Sequence, residues 1–151
     1  MSNTSKENII NIIIDANFIL LPIQFRIDYL DEINLALEGR KRFIIFKQVL
    51  DELNAKKHRE SNKVKFQKEF DTGLHYLNIN KAKYPIDFRD DVKEKTETTD
   101  AFLLRRAIEL KPSCSHIFLA TNDYLLRKEA RKKKISLIFL RQKKYLSIER
   151  S

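Results

Sequence analysis

The sequence predicts a three-layer α/β/α sandwich built on a mainly parallel sheet of about five strands, and three observations lead there. Short runs rich in β-branched and aromatic residues recur between longer segments with helical spacing. The first run, at residues 9–14, is apolar except for Asn11, the pattern of a strand covered on both faces. Two Gly and three Pro punctuate a chain of 151 residues that is 42% hydrophobic and free of low-complexity stretches. That composition suits a single domain over residues 1–151, with flexible N-terminal residues and a basic C-terminal segment.

The elements follow in order. Residues 9–14 are the central strand. From Pro22 the spacing of Ile23, Ile27, Leu30, Ile33 and Leu37 predicts one long amphipathic helix, closed by Gly39. Residues 43–46 read as the second strand and residues 48–55 as a helix carrying Glu52. Val64, Phe66 and Phe70 mark a further helix ending near Gly73, and residues 76–79 are a candidate third strand. Residues 81–99, with Pro85 and many charges, read as a long exposed connection. Asp100 opens a helix with Ala101, Leu104, Ala107 and Ile108 inward, ended by Lys111 and Pro112. Residues 116–120 form the next strand, a basic helix with Leu125 or Leu126 and Ala130 inward follows Asp123, and residues 135–140 supply the fifth strand.

Composition narrows the function. The single Cys114 excludes an intrachain disulfide framework and a multi-cysteine zinc cluster, which suits a reducing, cytoplasmic setting. No apolar run reaches the roughly 20 residues of a membrane span, and the early isoleucine run is too short for a signal-peptide core. Neither export nor membrane anchoring is expected. The formal charge of +9 is concentrated: residues 127–144 carry nine Lys or Arg against one Glu. A smaller cluster contains Lys56, Lys57, Arg59, Lys63, Lys65 and Lys68. Basic patches of this kind bind polyanions by displacing counterions, and RNA is the natural partner, with Lys56, Lys57, Arg59, Arg127, Lys128, Arg131 and Lys132 as candidate contacts. A solvated lysine-rich helix face is the plainer alternative.

Four acids stand where hydrophobic elements begin or end: Asp15, Glu52, Asp100 and Asp123. Taken singly, Asp123 reads as the cap of the helix it precedes, Asp100 as a cap or a helix-dipole partner, and Glu52 as part of a solvated face. Asp15 is harder to explain, because a carboxylate that follows a buried strand needs a partner. In a parallel α/β sheet, ligands bind beyond the carboxyl ends of the strands, where all four acids could face one point. Such repulsion calls for a cation. Mg²⁺ or Mn²⁺, one or two ions, suits an oxygen-only donor set, and metal-assisted phosphodiester hydrolysis is the chemistry expected.

At these positions the chain resembles the PIN-domain ribonuclease family. The matching segments are DANFIL at 15–20, VLDEL at 49–53, TDAFLL at 99–104 and ATND at 120–123, in the family's order. The opening DANFILLPIQF and the closing ISLIFLRQKKYL are most similar to the archaeal and eukaryotic branch associated with small-subunit ribosomal RNA processing. The resemblance implies a PIN-like fold and a metal site formed by Asp15, Glu52, Asp100 and Asp123, supported by Asn17, Thr121 and Asn122. It further implies an Mg/Mn-dependent endoribonuclease leaving a 5′ phosphate and a 3′ hydroxyl, acting on precursor ribosomal RNA, as a homodimer or with ribosome-assembly proteins.

One departure stands out. Many relatives carry paired acids at the third motif, whereas Thr99 precedes Asp100 here, leaving Glu97 as a partial substitute. Asp51 beside Glu52 raises a related choice, because neighbouring helix residues point about 100° apart, and the resemblance favours Glu52. Two other functions are compatible with the same residues: a toxin-type PIN ribonuclease of a toxin–antitoxin pair, and a non-catalytic RNA-binding assembly factor. A phosphatase is disfavoured, since DANF lacks a second acid two residues after Asp15.

Overall fold

The isoleucine run does form the centre of the sheet: in β1 (Glu7–Ile14), Ile12, Ile13 and Ile14 are completely buried. The structure is a computed structural model that describes residues 7–60 and 63–151. The N-terminal residues expected to be flexible lie, through residue 6, outside the described residues. On one side of β1 run β2 (Arg40–Phe46) and then β3 (Ile86–Arg89). On the other run β4 (Cys114–Ala120), β5 (Ser136–Arg141) and β6 (Tyr145–Glu149). The first five strands are parallel, and β6 returns antiparallel to β5.

The helices are α1 (Ala16–Ile19), α2 (Leu21–Gln24), α3 (Tyr29–Ala36), α4 (Lys47–Arg59), α5 (Val64–Asn80), α6 (Thr99–Leu110) and α7 (Tyr124–Lys132). With the order β3-β2-β1-β4-β5-β6, the chain builds outward from β1 in one direction and then in the other. Right-handed crossovers therefore put α1 to α5 on one face and α6 and α7 on the opposite face. The point of reversal lies between β1 and β4, so their carboxyl ends form the rim where an open α/β sheet leaves a crevice.

Several expectations change. The long helix predicted from Pro22 is broken: Arg26 adopts a left-handed φ of 57°, and Asp28 then caps α3 by accepting from the Asp31 N–H at 3.3 Å. The apolar spacing holds after the break, where Ile27, Leu30, Ile33 and Leu37 are buried, but Ile23 before it is exposed, because periodicity does not register a kink. Residues 76–79 are not a strand. They belong to α5, which continues through Gly73 because that glycine is needed for packing rather than termination. A Cβ there would stand 2.5 Å from the Ile19 carbonyl oxygen, so only glycine permits the approach of α5 to α1. The third strand lies instead in the presumed connection, as β3 paired to β2 from Phe43↔Ile86 to Phe46↔Arg89.

The inward face of α6 is also rotated from the expected one. Phe102, Leu103 and Ala107 are buried, Phe102 edge-on to Phe46 with ring centroids 5.1 Å apart, while Ala101 and Ile108 are exposed and Leu104 is half-buried. On α7 the open choice resolves to Leu126, with Leu125 69% exposed. The basic C-terminal segment contributes a sixth strand, β6, beyond the five expected.

Candidate active site

Asp15 follows the last residue of β1, and the ladder continues past it: its N–H donates to the Ala120 carbonyl at 3.0 Å, and the Thr121 N–H donates to Ile138 at 3.0 Å. The backbone on both sides of the switch point is therefore tied down. Asp15 is 4% exposed, and both carboxylate oxygens are engaged. Oδ1 accepts from the Ala16 N–H at 2.7 Å, which also caps α1. Oδ2 accepts from the Thr121 hydroxyl at 2.6 Å and from Asn17 Nδ2 at 3.2 Å. Burial nevertheless outweighs these bonds, and with the fields of Glu52 and Asp123 it pushes the Asp15 carboxyl above its ordinary range.

The loop after β4 completes this wall. Thr121 Oγ1 accepts from the Asp123 N–H at 3.1 Å, and Asn17 Oδ1 accepts from the Asn122 N–H at 3.0 Å. Asn122 Oδ1 in turn accepts from the Leu140 N–H at 2.8 Å, joining the loop to the end of β5. Asp123 does cap α7, accepting from the Leu126 N–H at 2.9 Å with one oxygen. A cap and a site residue are compatible roles, because the cap uses Oδ1 and leaves the other oxygen beside the cleft.

The opposite wall comes from α4 and α6. Glu52, Lys56 and Arg59 share one helical face, and Glu52 rather than Asp51 lines the cleft. Asp100 is not the cap of α6. Thr98 takes that role by accepting from the Ala101 N–H at 3.1 Å, which leaves the Asp100 carboxylate free to face the cleft from the helix's first turn. Burial chiefly, then the charges of Asp15 and Asp123, raise the Asp100 carboxyl to about 6. Glu52 is also raised, by burial and then by Asp100, against the lowering influence of Lys93, the Thr99 hydroxyl and Arg59.

Asp15, Glu52, Asp100 and Asp123 thus line one pocket of about 310 Å³, together with Asn17, Lys56 and Arg59. Among the described residues none of the four carboxylates forms an ion pair with Lys or Arg. Nor do any three acidic, histidine or cysteine side chains among the described residues stand close enough to ligate one ion directly. The donor chemistry still fits Mg²⁺ or Mn²⁺. Mg²⁺ keeps several of its waters and typically takes only one or two protein carboxylates, and a cation would offset the repulsion that raises Asp100.

Glu97 does not stand in for a missing acid beside Asp100. It is held by Arg105 through two bonds, at 2.7 and 2.9 Å, and that guanidinium lowers its carboxyl to about 2. The Thr99 hydroxyl instead lowers the Glu52 carboxyl, an influence between α6 and α4 that the sequence does not show. Among the basic residues, Lys56 and Arg59 reach the pocket, whereas Lys57 pairs with Asp71 at 2.9 Å. Arg127 lies over the Phe139 ring, 4.4 Å from its centroid, and Arg131 pairs with Glu149 at 2.7 and 3.0 Å. Lys128 and Lys132 lie beyond the first turn of α7, whose N-terminus marks the rim, and Lys132 pairs with Glu129 at 3.3 Å. Lys93, whose charge lowers the Glu52 carboxyl, was missed by motif reading, since it belongs to no recognisable segment.

Comparison with known proteins agrees with this architecture. A family model described as a PIN-like domain matches residues 12–74, a stretch that contains Asp15 and Glu52. No curated protein sequence matches the chain. Among solved structures, the PIN domain endonuclease Utp24 superposes with a TM-score of 0.64 at 22% identity, over 93% of this chain and 92% of that one. A domain of a functionally unknown protein from Methanocaldococcus jannaschii DSM 2661 superposes with a TM-score of 0.61 at 17% identity, over 87% and 91% of the two chains. At such identities the likeness is one of fold.

Proposed function

We propose that the chain, which a PIN-like family model matches over residues 12–74, is a metal-dependent endoribonuclease hydrolysing RNA phosphodiester bonds. The observation that carries the reading is the pocket at the switch point, where four carboxylates from four separate elements meet without an ion-pair partner among the described residues. A divalent ion bound there would neutralise the phosphate, activate water for attack and stabilise the leaving 3′ oxygen. Asp15, Glu52, Asp100 and Asp123 would hold it, one or two of them directly and the others through its waters.

The chain's own residues supply position. Thr121 and Asn17 orient the Asp15 carboxylate and limit its rotation, because each bonds both Asp15 and the loop that bears Asp123. Lys56 and Arg59, on the same helical face as Glu52, offer positive charge to the incoming phosphate. Water attack on phosphorus breaks the bond to the 3′ oxygen and leaves a 5′ phosphate and a 3′ hydroxyl, with no part for the ribose 2′-hydroxyl. Ribosomal RNA maturation in the cytoplasm is the setting implied by the similarity of the opening and closing segments to that branch of the family.

The test is cleavage of end-labelled RNA by the full chain in Mg²⁺ or Mn²⁺, compared with Asp15→Asn and with chelator. Activity that survives chelation would sink the metal mechanism. The lack of three directly ligating acids among the described residues favours one second reading, a non-catalytic RNA-binding assembly factor. RNA binding retained by Asp100→Asn, with no cleavage of any RNA by the wild type, would favour that reading.

A further inference from the structure

The densest run of positive charge divides into two parts with different surroundings. Along α7 the cations are partly engaged: Arg131 with Glu149, Lys132 with Glu129, and Arg127 stacked on Phe139. At the β5–β6 turn, Arg141, Lys143 and Lys144 are exposed and have no acidic partner among the described residues. The topology places this turn. α7 begins at the rim with its cap Asp123 and runs away from it, and β5, parallel to β4, carries the chain back. The turn therefore projects from the same edge of the sheet as Asp15 and Asp123, two strand spacings or about 10 Å from β1.

Which face it serves can be read from the pleat. Phe139 meets Arg127 of α7, and Glu149 of β6 pairs with Arg131 of the same helix. Side chains alternate along a strand, and Arg141 is registered against Tyr145, so Arg141 and Tyr145 lie on the α7 face, where Asp100 and Asp123 also stand. Tyr145 is 44% exposed there. The turn is held in place: the Lys144 N–H donates to the Arg141 carbonyl at 3.0 Å, and Gln142 and Lys143 take left-handed φ values of 54° and 57°. Asn122 binds the Leu140 N–H while its own N–H is bound by Asn17, so one chain of hydrogen bonds runs from Asp15 to the base of the hairpin.

We propose that the β5–β6 hairpin is a guide for an unpaired RNA strand leading into the acidic pocket, with Arg141, Lys143 and Lys144 holding phosphates and Tyr145 offering a stacking face for a base. Exposed cations beside an exposed aromatic are the elements of single-strand recognition. Asn122 is a positioning residue, keeping the guide in register with Asp15. The inference rests on the RNA-cleaving reading of the pocket for its substrate.

The test is binding of a fluorescein-labelled single-stranded RNA to the full chain in chelator, by anisotropy over a range of salt. The triple variant Arg141→Gln, Lys143→Gln, Lys144→Gln should lose about two from the slope of log affinity against log salt, at roughly 0.7 per phosphate released. Its affinity at low salt should fall at least about tenfold. Tyr145→Ala should weaken single-strand binding about fivefold or more while leaving duplex binding unchanged. Lys128→Gln with Lys132→Gln should change the slope less than the hairpin variant does. Unchanged affinity and slope in the hairpin variant, or a wild type that binds no RNA, overturns the guide. A wild type that binds through the hairpin yet cleaves no RNA in Mg²⁺ or Mn²⁺ leaves the guide standing and removes the nuclease reading. Cleavage by the wild type with unchanged binding by the hairpin variant removes the guide alone.

Discussion

The two walls of the acidic pocket are built on opposite terms. The β1/β4 wall is densely hydrogen-bonded: Asp15 accepts three hydrogen bonds, Thr121 bridges Asp15 to the Asp123 N–H, and Asn17 and Asn122 extend the network to β5. On the α4/α6 wall Asp100 has burial and like charge around it, and its carboxyl is raised to about 6. The difference teaches that one wall is preorganised by hydrogen bonds of the sheet, whereas the other meets the electrostatic stress that both share with little to oppose it, a stress that a cation would relieve. Even on the first wall the hydrogen bonds do not cancel burial, since the Asp15 carboxyl is still pushed above its ordinary range. The second wall has fewer bonds to set against the same stress.

The largest expected effect breaks the ordered wall. Asp15→Asn should lower the rate of RNA cleavage by about 100-fold or more, because it removes charge at the most constrained position of the cleft. Circular dichroism should show the fold retained, and a variant that cleaves like the wild type would contradict the assignment. Next, Thr121→Val should destabilise the protein by about 2 kcal/mol, measured from the urea midpoint, because Thr121 is fully buried and its loss leaves Asp15 Oδ2 and the Asp123 N–H short of a partner.

On the stressed wall the sign reverses. Because the folded-state value of Asp100 is raised from 3.8 to about 6, the folded chain holds that proton more tightly than the unfolded chain does. Ionisation therefore costs stability, from nothing below the lower value to its full amount above the upper one. Asp100→Asn should then stabilise the metal-free protein by about 1 kcal/mol at pH 7.5, a figure discounted for solvent screening, and the gain should vanish near pH 3. Thermal melts at the two pH values check this, and a destabilised variant at pH 7.5 would remove the claim of stress. The smallest effect concerns Glu97. Since Arg105 holds it away from the metal-site role, Glu97→Gln should leave the cleavage rate in Mg²⁺ unchanged, and a marked loss would restore Glu97 to the site.

How legible each part was depends on how local its cause is. The β1 isoleucines announce a doubly covered strand because burial on both faces leaves no polar alternation. Glu52 could be separated from Asp51 only by resemblance, and α4 packing then gave a physical reason. β3 was hidden, since a four-residue strand at a sheet edge carries little pattern and only its pairing to β2 defines it. Residues 76–79 were misread because Tyr, Leu and Ile suit either period over so short a window, and the continuation of α5 depends on Gly73 meeting Ile19 from another helix. The broken helix at Arg26 left no trace in the apolar spacing of the sequence, and only the fold shows Ile23 exposed before the break and Ile27, Leu30, Ile33 and Leu37 buried after it.

By itself the sequence determined the layer architecture, the central strand, the four acids and the concentration of charge near the C-terminus, because these follow from residue type and period along the chain. The tertiary structure alone decided which acids are bonded and which are stressed, that Glu97 belongs to Arg105, and that Arg127 and Arg131 are engaged while the β5–β6 turn presents its cations at the rim. The physical reason is distance. Hydrogen bonds, ion pairs and Coulombic fields act over a few ångströms between groups that can lie more than a hundred residues apart, as Asp15 and Thr121 do, and only the folded sheet brings them within reach.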